Sequence, residues 1–140
     1  MSTELIVYVL TALAAVVVLL TRLRLGGESG AGRHQVGRGL LLLHTVAGAL
    51  ALVTWIAFLV APEDVFLGTS TFGILSLACW WAVVVAGLLI LVRWLPSRGR
   101  HASAGTQDGW SDGPGLSVLA HVGMLVGVCV FTWAYLTSAV

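Results

Sequence analysis

Polar and apolar positions fall into long blocks along this chain, with no strand-like alternation. Four stretches, Leu5–Thr21, Gly39–Pro62, Val65–Val92 and Gly113–Val140, contain no Asp, Glu, Lys or Arg. A helix needs about 20 mostly apolar residues to cross the hydrocarbon core of a bilayer. The second, third and fourth stretches exceed that length, and the first lies at the short end of the usual range. Strands of a membrane barrel would be about half as long and would alternate polar with apolar residues. Helices are then the remaining way to satisfy backbone groups in lipid. The pattern predicts an all-α, up-down bundle of four transmembrane helices in a single integral membrane domain, residues 1–140. The predicted spans are 4–22, 38–60, 69–93 and 114–137.

Composition agrees and removes one class of function. Of the 140 residues, 59% are hydrophobic and 9% are charged. A soluble domain carries about 25% charged residues, so lipid must be the solvent for most of this surface. The spans consume the length, and no separate soluble catalytic domain is expected. All seven basic residues are Arg. Together with abundant Ala, Gly and Val, this suggests a GC-rich bacterial genome.

Charge then predicts orientation. Arg22, Arg24, Arg33 and Arg38 fall between the first and second stretches, and Arg93, Arg98 and Arg100 between the third and fourth. The N-terminus, the middle loop and the C-terminus have none. Basic loops stay on the cytoplasmic side during insertion. The expectation is a multi-pass protein of the inner (plasma) membrane with Arg-bearing loops inside and both termini outside. The loop 61–70 would be outside as well. The first span has no positive charge before its apolar core, so it reads as a retained anchor and not a cleaved signal. Tyr8, Trp133 and Tyr135 fall toward the outer ends, and Trp94 at an inner end, where amphipathic rings favour the interface. Thr69, Ser70 and Thr71 offer caps for the third helix, and Pro114 suits the first turn of the fourth.

The connecting segments GGESGAGRHQVG and SRGRHASAGTQDGWSDGPG are Gly/Ser-rich and polar and read as surface loops. Neither is a phosphate cradle, which needs glycines between a strand and a helix. No feature points to nucleic acid. His34 and His101 lie in these loops and read as solvated, and no His/Cys spacing matches a structural zinc site. Glu63 and Asp64 read as a solvated acidic turn.

Two ionisable side chains remain inside the spans, His44 and His121. Intramembrane ionisable residues raise a functional question by default. Each lies six residues past the start of its helix, Arg38 and Gly115 respectively, and both helices run in the same direction. At 1.5 Å per residue both imidazoles sit roughly 9 Å below their helix starts. In an up-down bundle the second and fourth helices stand diagonally, so inward residues on them face each other. Two neutral imidazoles at one depth are what a bis-histidine haem needs. His44, Ala47, Gly48 and Ala51 form one stripe, whose small members leave room for a flat ring. On the fourth helix, Leu125, Val128 and Thr132 continue the His121 face. Arg33, Arg38, Arg98 and Arg100 at the inner edge would pair with propionates. The plain alternative is that both His residues hydrogen-bond neighbouring helices and nothing more. A proton path or a contact to a quinone or metal is a further alternative.

Gly123 and Gly127 form a GxxxG pair away from the His121 face, a spacing that seats a neighbouring helix. Cys79 and Cys129 read as buried small apolar residues, although a disulfide requires only that their Cα atoms lie within about 7 Å. Trp80 and Trp81 read as packing bulk near the middle of the third span.

The four-span plan, His44 in the run HTVAG and His121 in the fourth span resemble the b-type cytochromes of respiratory membranes. That resemblance covers all four spans and rests on the two His residues. Larger members of that class carry two haems and four membrane His; this chain has two, which implies at most one haem. It implies a one-haem b-type electron-transfer subunit of a respiratory complex, a subunit rather than a stand-alone enzyme. His44 and His121 would be axial ligands of the haem iron, with Gly48 and Arg38 beside the cofactor. One haem near the inner face would need a partner subunit or a quinol. The alternative function is an accessory or scaffold subunit without cofactor. Expected partners are the lipid bilayer and either a larger membrane complex or further copies of the chain. A small transporter is disfavoured, since no acidic residue or broken helix marks a midplane ion site.

Overall fold

The computed structural model describes residues 2–26, 38–94 and 115–140. They form four long helices, α1 (Thr3–Gly26), α2 (Arg38–Val60), α3 (Ser70–Trp94) and α4 (Gly115–Leu136), with a single 3-10 turn, Phe66–Gly68, between α2 and α3. There are no strands among the described residues. All four helices are long and apolar enough to cross a membrane. The predicted spans differ from the observed helices by only a few residues, most at the end of α1.

Local chemistry sets the helix ends. Ser2 Oγ accepts from the Leu5 amide at 3.2 Å, and Glu4 adds negative charge in the first turn of α1, where the helix dipole favours it. Thr69 does the capping expected at α3: its Oγ1 accepts from the Phe72 amide at 3.4 Å and donates to the Phe66 carbonyl at 2.7 Å. The C-terminus of α4 closes in a Schellman arrangement. The Ser138 amide donates to Tyr135 O and the Ala139 amide to Ala134 O, with Ser138 in the left-handed region at φ 52°. Pro114, expected in the first turn of α4, lies outside the described residues.

The helices are arranged in chain order around a ring. α1 touches α2 and α4, and α3 touches the same two, while neither diagonal pair comes together along its backbone. Side chains cross three of the four interfaces with hydrogen bonds. Trp55 Nε1 donates to Thr11 Oγ1 at 3.2 Å, joining α2 to α1. Thr54 and Ser76 share a hydroxyl bond of 3.2 Å between α2 and α3. Trp81 Nε1 donates to Thr132 Oγ1 at 3.1 Å between α3 and α4. Such bonds matter more than apolar contact here, because lipid and core are equally apolar and no hydrophobic force selects one over the other.

The half of the bundle nearer the 61–69 connector is filled with aromatic rings. Trp55 stacks on Phe131 at 4.9 Å, Trp80 meets Phe131 edge-on at 5.8 Å, and Phe58 links Trp55 to Tyr135. Trp55, Trp80 and Phe131 are fully buried. Gly73 makes this packing possible, because a Cβ there would come within 2.9 Å of both the Phe58 and the Tyr135 ring. Tyr8 and Tyr135 turn their hydroxyls to the Leu59 and Ser70 carbonyls at the same end. Trp80 is thus packing bulk, as expected, although its indole nitrogen has no hydrogen-bond partner among the described residues.

Two sequence expectations need correction. Cys129 is exposed, not buried; Cys79 is half-buried, and both thiols are free. The GxxxG pair does not act as one seat for a helix of this chain: Gly123 is exposed and Gly127 is buried, and a Cβ on either would meet nothing within 4 Å.

Candidate functional site: an imidazole pair at the bundle axis

α2 and α4 each deliver one imidazole to the interior, six residues from their starts at Arg38 and Gly115. His44 and His121 meet across the diagonal of the bundle. Their ring centres are 6.1 Å apart and their planes lie within 17° of parallel. Offset-stacked rings have centres about 4.5–7 Å apart, so the two imidazoles form an offset stacked pair.

That distance can be compared with a shared ligand atom. A transition metal lies about 2 Å from an imidazole nitrogen, and the nitrogen lies about 1 Å from its ring centre, so two imidazoles gripping one metal from opposite sides have centres about 6 Å apart. The 6.1 Å between the ring centres is close to this spacing, and it is also that of an offset ring pair. A haem iron held by two axial imidazoles is one instance. His44 Nδ1 is also buried without a hydrogen-bond partner among the described residues. An unpaired buried polar nitrogen costs about 1–3 kcal/mol, a cost that Trp80 Nε1 shares in this bundle.

α3 closes the site from a third side, through Gly87. A Cβ built there would lie 2.8 Å from His121 Cδ2, 2.9 Å from His44 Cε1 and 3.0 Å from His121 Nε2. Gly87 lies seven residues before the end of α3, so all three residues share one depth. It was not among the expected site residues. The signal was present: Gly73, Trp80 and Gly87 repeat at seven-residue spacing along one stripe of α3.

The remaining expected residues are placed differently. Gly48 is buried one turn beyond His44 and packs toward α3, where an added Cβ would stand 3.8 Å from Val83 Cγ1. Leu125, Val128 and Thr132 do continue the His121 face inward: Val128 is fully buried and Leu125 packs on the core. Arg38 opens α2, but its side chain lies outside the described part, as do Arg33, Arg98, Arg100, His34 and His101. Among the described residues no cluster of three or more His, Cys, Asp or Glu is assembled; the site offers two ligands. His44 is only half-buried on its outer side, where it borders an apolar groove of about 300 Å³ between α2 and α3, with Leu43, Ala47, Ala82, Val83 and Ala86 among its walls.

Fold and site together define a four-helix membrane protein with an interior histidine pair. No family model, curated protein or solved structure matches the chain.

Proposed function

We propose that this protein is a one-haem b-type electron-transfer subunit of a bacterial inner membrane, with His44 and His121 as the axial ligands. The observation that carries the reading is the imidazole pair: two rings from diagonal helices with centres 6.1 Å apart, close to the spacing of two imidazoles on one metal. Haem bound there would supply one-electron redox chemistry at low cost in nuclear rearrangement. The chain's own residues would bind and orient it. His44 and His121 fix it from α2 and α4, Gly48 keeps the α2 face small, and Arg38 is placed by sequence at the helix start to neutralise a propionate. Toward the 61–69 connector, Trp55, Phe58, Trp80 and Phe131 fill the bundle with packed rings.

In this reading the Arg-bearing loops face the cytoplasm and both termini lie outside. The cofactor then sits in the cytoplasmic half of the membrane, so electrons need a partner to cross the rest. A respiratory complex or a quinol would provide it. Titration of haem into the purified apoprotein tests the proposal. Saturation at one haem per chain with six-coordinate absorption supports it; no binding, or binding that survives loss of both His residues, contradicts it.

The second reading is an accessory subunit without cofactor. The outward face of α4 supports it: Gly123 is exposed, a Cβ there meets nothing, and Leu119 and Val126 flank it in exposed positions. Small residues of this kind admit close approach by a foreign helix. Co-purification of a larger complex that persists when both His residues are replaced by Leu would favour this reading.

A further inference from the structure

We infer that Gly87 is the positioning residue of the imidazole pair: by carrying no side chain, it lets His44 and His121 stand at the separation at which they grip one ligand atom between them. The identity of that ligand rests on the haem reading above, whereas the positioning role rests on the geometry of α3.

Among the described glycines, Gly87 is the one that both rings approach. A methyl group there would lie at or under 3.0 Å from three ring atoms, two on His121 and one on His44. Contacts between carbon atoms relax only at about 3.5–4.0 Å, so the rings must give by several tenths of an ångström. Other helical glycines are not constrained in this way. Gly48 would accept a Cβ in ordinary contact, and Gly39, Gly123 and Gly127 would meet nothing. Gly68 in the 3-10 turn is crowded by the Pro62 and Ala61 backbone, and among the described glycines of the long helices Gly73 alone is comparable; it too sits where rings from α2 and α4 converge on α3, those of Phe58 and Tyr135. Gly is a poor helix former, second only to Pro. Its presence at these two crowded points of α3 therefore follows from what the neighbouring rings need.

The direction of yielding is also readable. His44 borders the apolar groove between α2 and α3, so its ring has space to move outward when Gly87 gains a methyl. Gly87→Ala should accordingly release His44 before His121.

The test compares Gly87→Ala, Gly123→Ala and Gly73→Ala in the full chain loaded with haem. Gly87→Ala should lower haem affinity about 10- to 100-fold, the range for residues that orient a metal ligand. It should convert the six-coordinate low-spin signal to a five-coordinate high-spin one, and added free imidazole should restore the low-spin signal. Gly123→Ala, at an exposed position where a Cβ meets nothing, should leave spin state and affinity unchanged. Gly73→Ala should lower thermal stability with spin state unchanged. A Gly87→Ala protein with wild-type spin state and affinity would overturn the inference.

A readout without haem separates this inference from the cofactor reading. In the apoprotein, Gly87→Ala should lower the unfolding midpoint, and the loss should vanish when His44→Ala and His121→Ala are both introduced first, since the added methyl meets both rings. If wild type binds no haem, this coupling still decides the role of Gly87. If Gly87→Ala fails to fold alone, folding of the Gly87→Ala/His44→Ala/His121→Ala triple variant supports the role. Failure of the triple variant, or equal losses in both backgrounds, contradicts it.

Discussion

His44 and His121 stand on helices that do not touch along their backbones, yet their ring centres lie 6.1 Å apart with nearly parallel planes. The intervening distance is spanned by side chains alone, and Gly87 is what α3 contributes to leave the gap open. Replacing either ring by Leu should therefore cost little in folding. At position 44 it removes a buried nitrogen without a partner, worth about 1–3 kcal/mol of penalty. His44→Leu and His121→Leu should each keep wild-type helicity by circular dichroism. Each should also lose six-coordinate haem binding, measured optically after haem addition.

The aromatic half of the bundle should behave in the opposite way. Phe131 is fully buried against Trp55 and Trp80. In lipid the transfer term is small, but the void remains. At about 24 cal/mol per Å³, a cavity of roughly 100 Å³ costs ~2 kcal/mol. Phe131→Ala should lower stability by about that amount in a detergent unfolding titration. Haem stoichiometry should stay at one per chain, because the new void offers no second pair of ligands.

The end of α4 carries a removable strain. Ser138 adopts φ 52° in the Schellman arrangement, a conformation that costs L-residues with a Cβ about 1–2 kcal/mol and glycine almost nothing. Ser138→Gly should raise stability by about 0.5–1 kcal/mol, visible as a higher unfolding midpoint, with haem binding unchanged.

Membrane orientation has its own test. Asp64 is exposed in the connector between α2 and α3, and Ser103 lies in the segment that carries Arg98 and Arg100. With Cys79 and Cys129 replaced by Ala, Asp64→Cys should react with a membrane-impermeant maleimide in intact cells. Ser103→Cys should react only after the cells are opened. The reverse pattern would place the Arg loops outside.

The spans were legible because lipid imposes a length and forbids charge, and both constraints are written along the chain without reference to any partner. The matched depth of His44 and His121 followed from the same register, counted from Arg38 and Gly115. Helix rotation was harder to read. In a soluble bundle the polar face marks the outside, but here both faces are apolar, and Cys129 was placed inward although it faces out. The same ambiguity hid Gly87. The spacing of Gly73, Trp80 and Gly87 was visible, but it showed only that they share a stripe. Which helices that stripe faces is set by the packing of Phe58, Tyr135 and the two imidazoles against it.

The central claim is that one haem iron is held between His44 and His121. A reduced-minus-oxidised optical spectrum of the protein, purified after expression with ample haem, addresses it most directly. The account predicts a Soret and α-band difference of a low-spin b-type haem, at one haem per chain, lost in both His44→Leu and His121→Leu. A purified, folded protein with no such difference, or one whose difference survives in either variant, would contradict it.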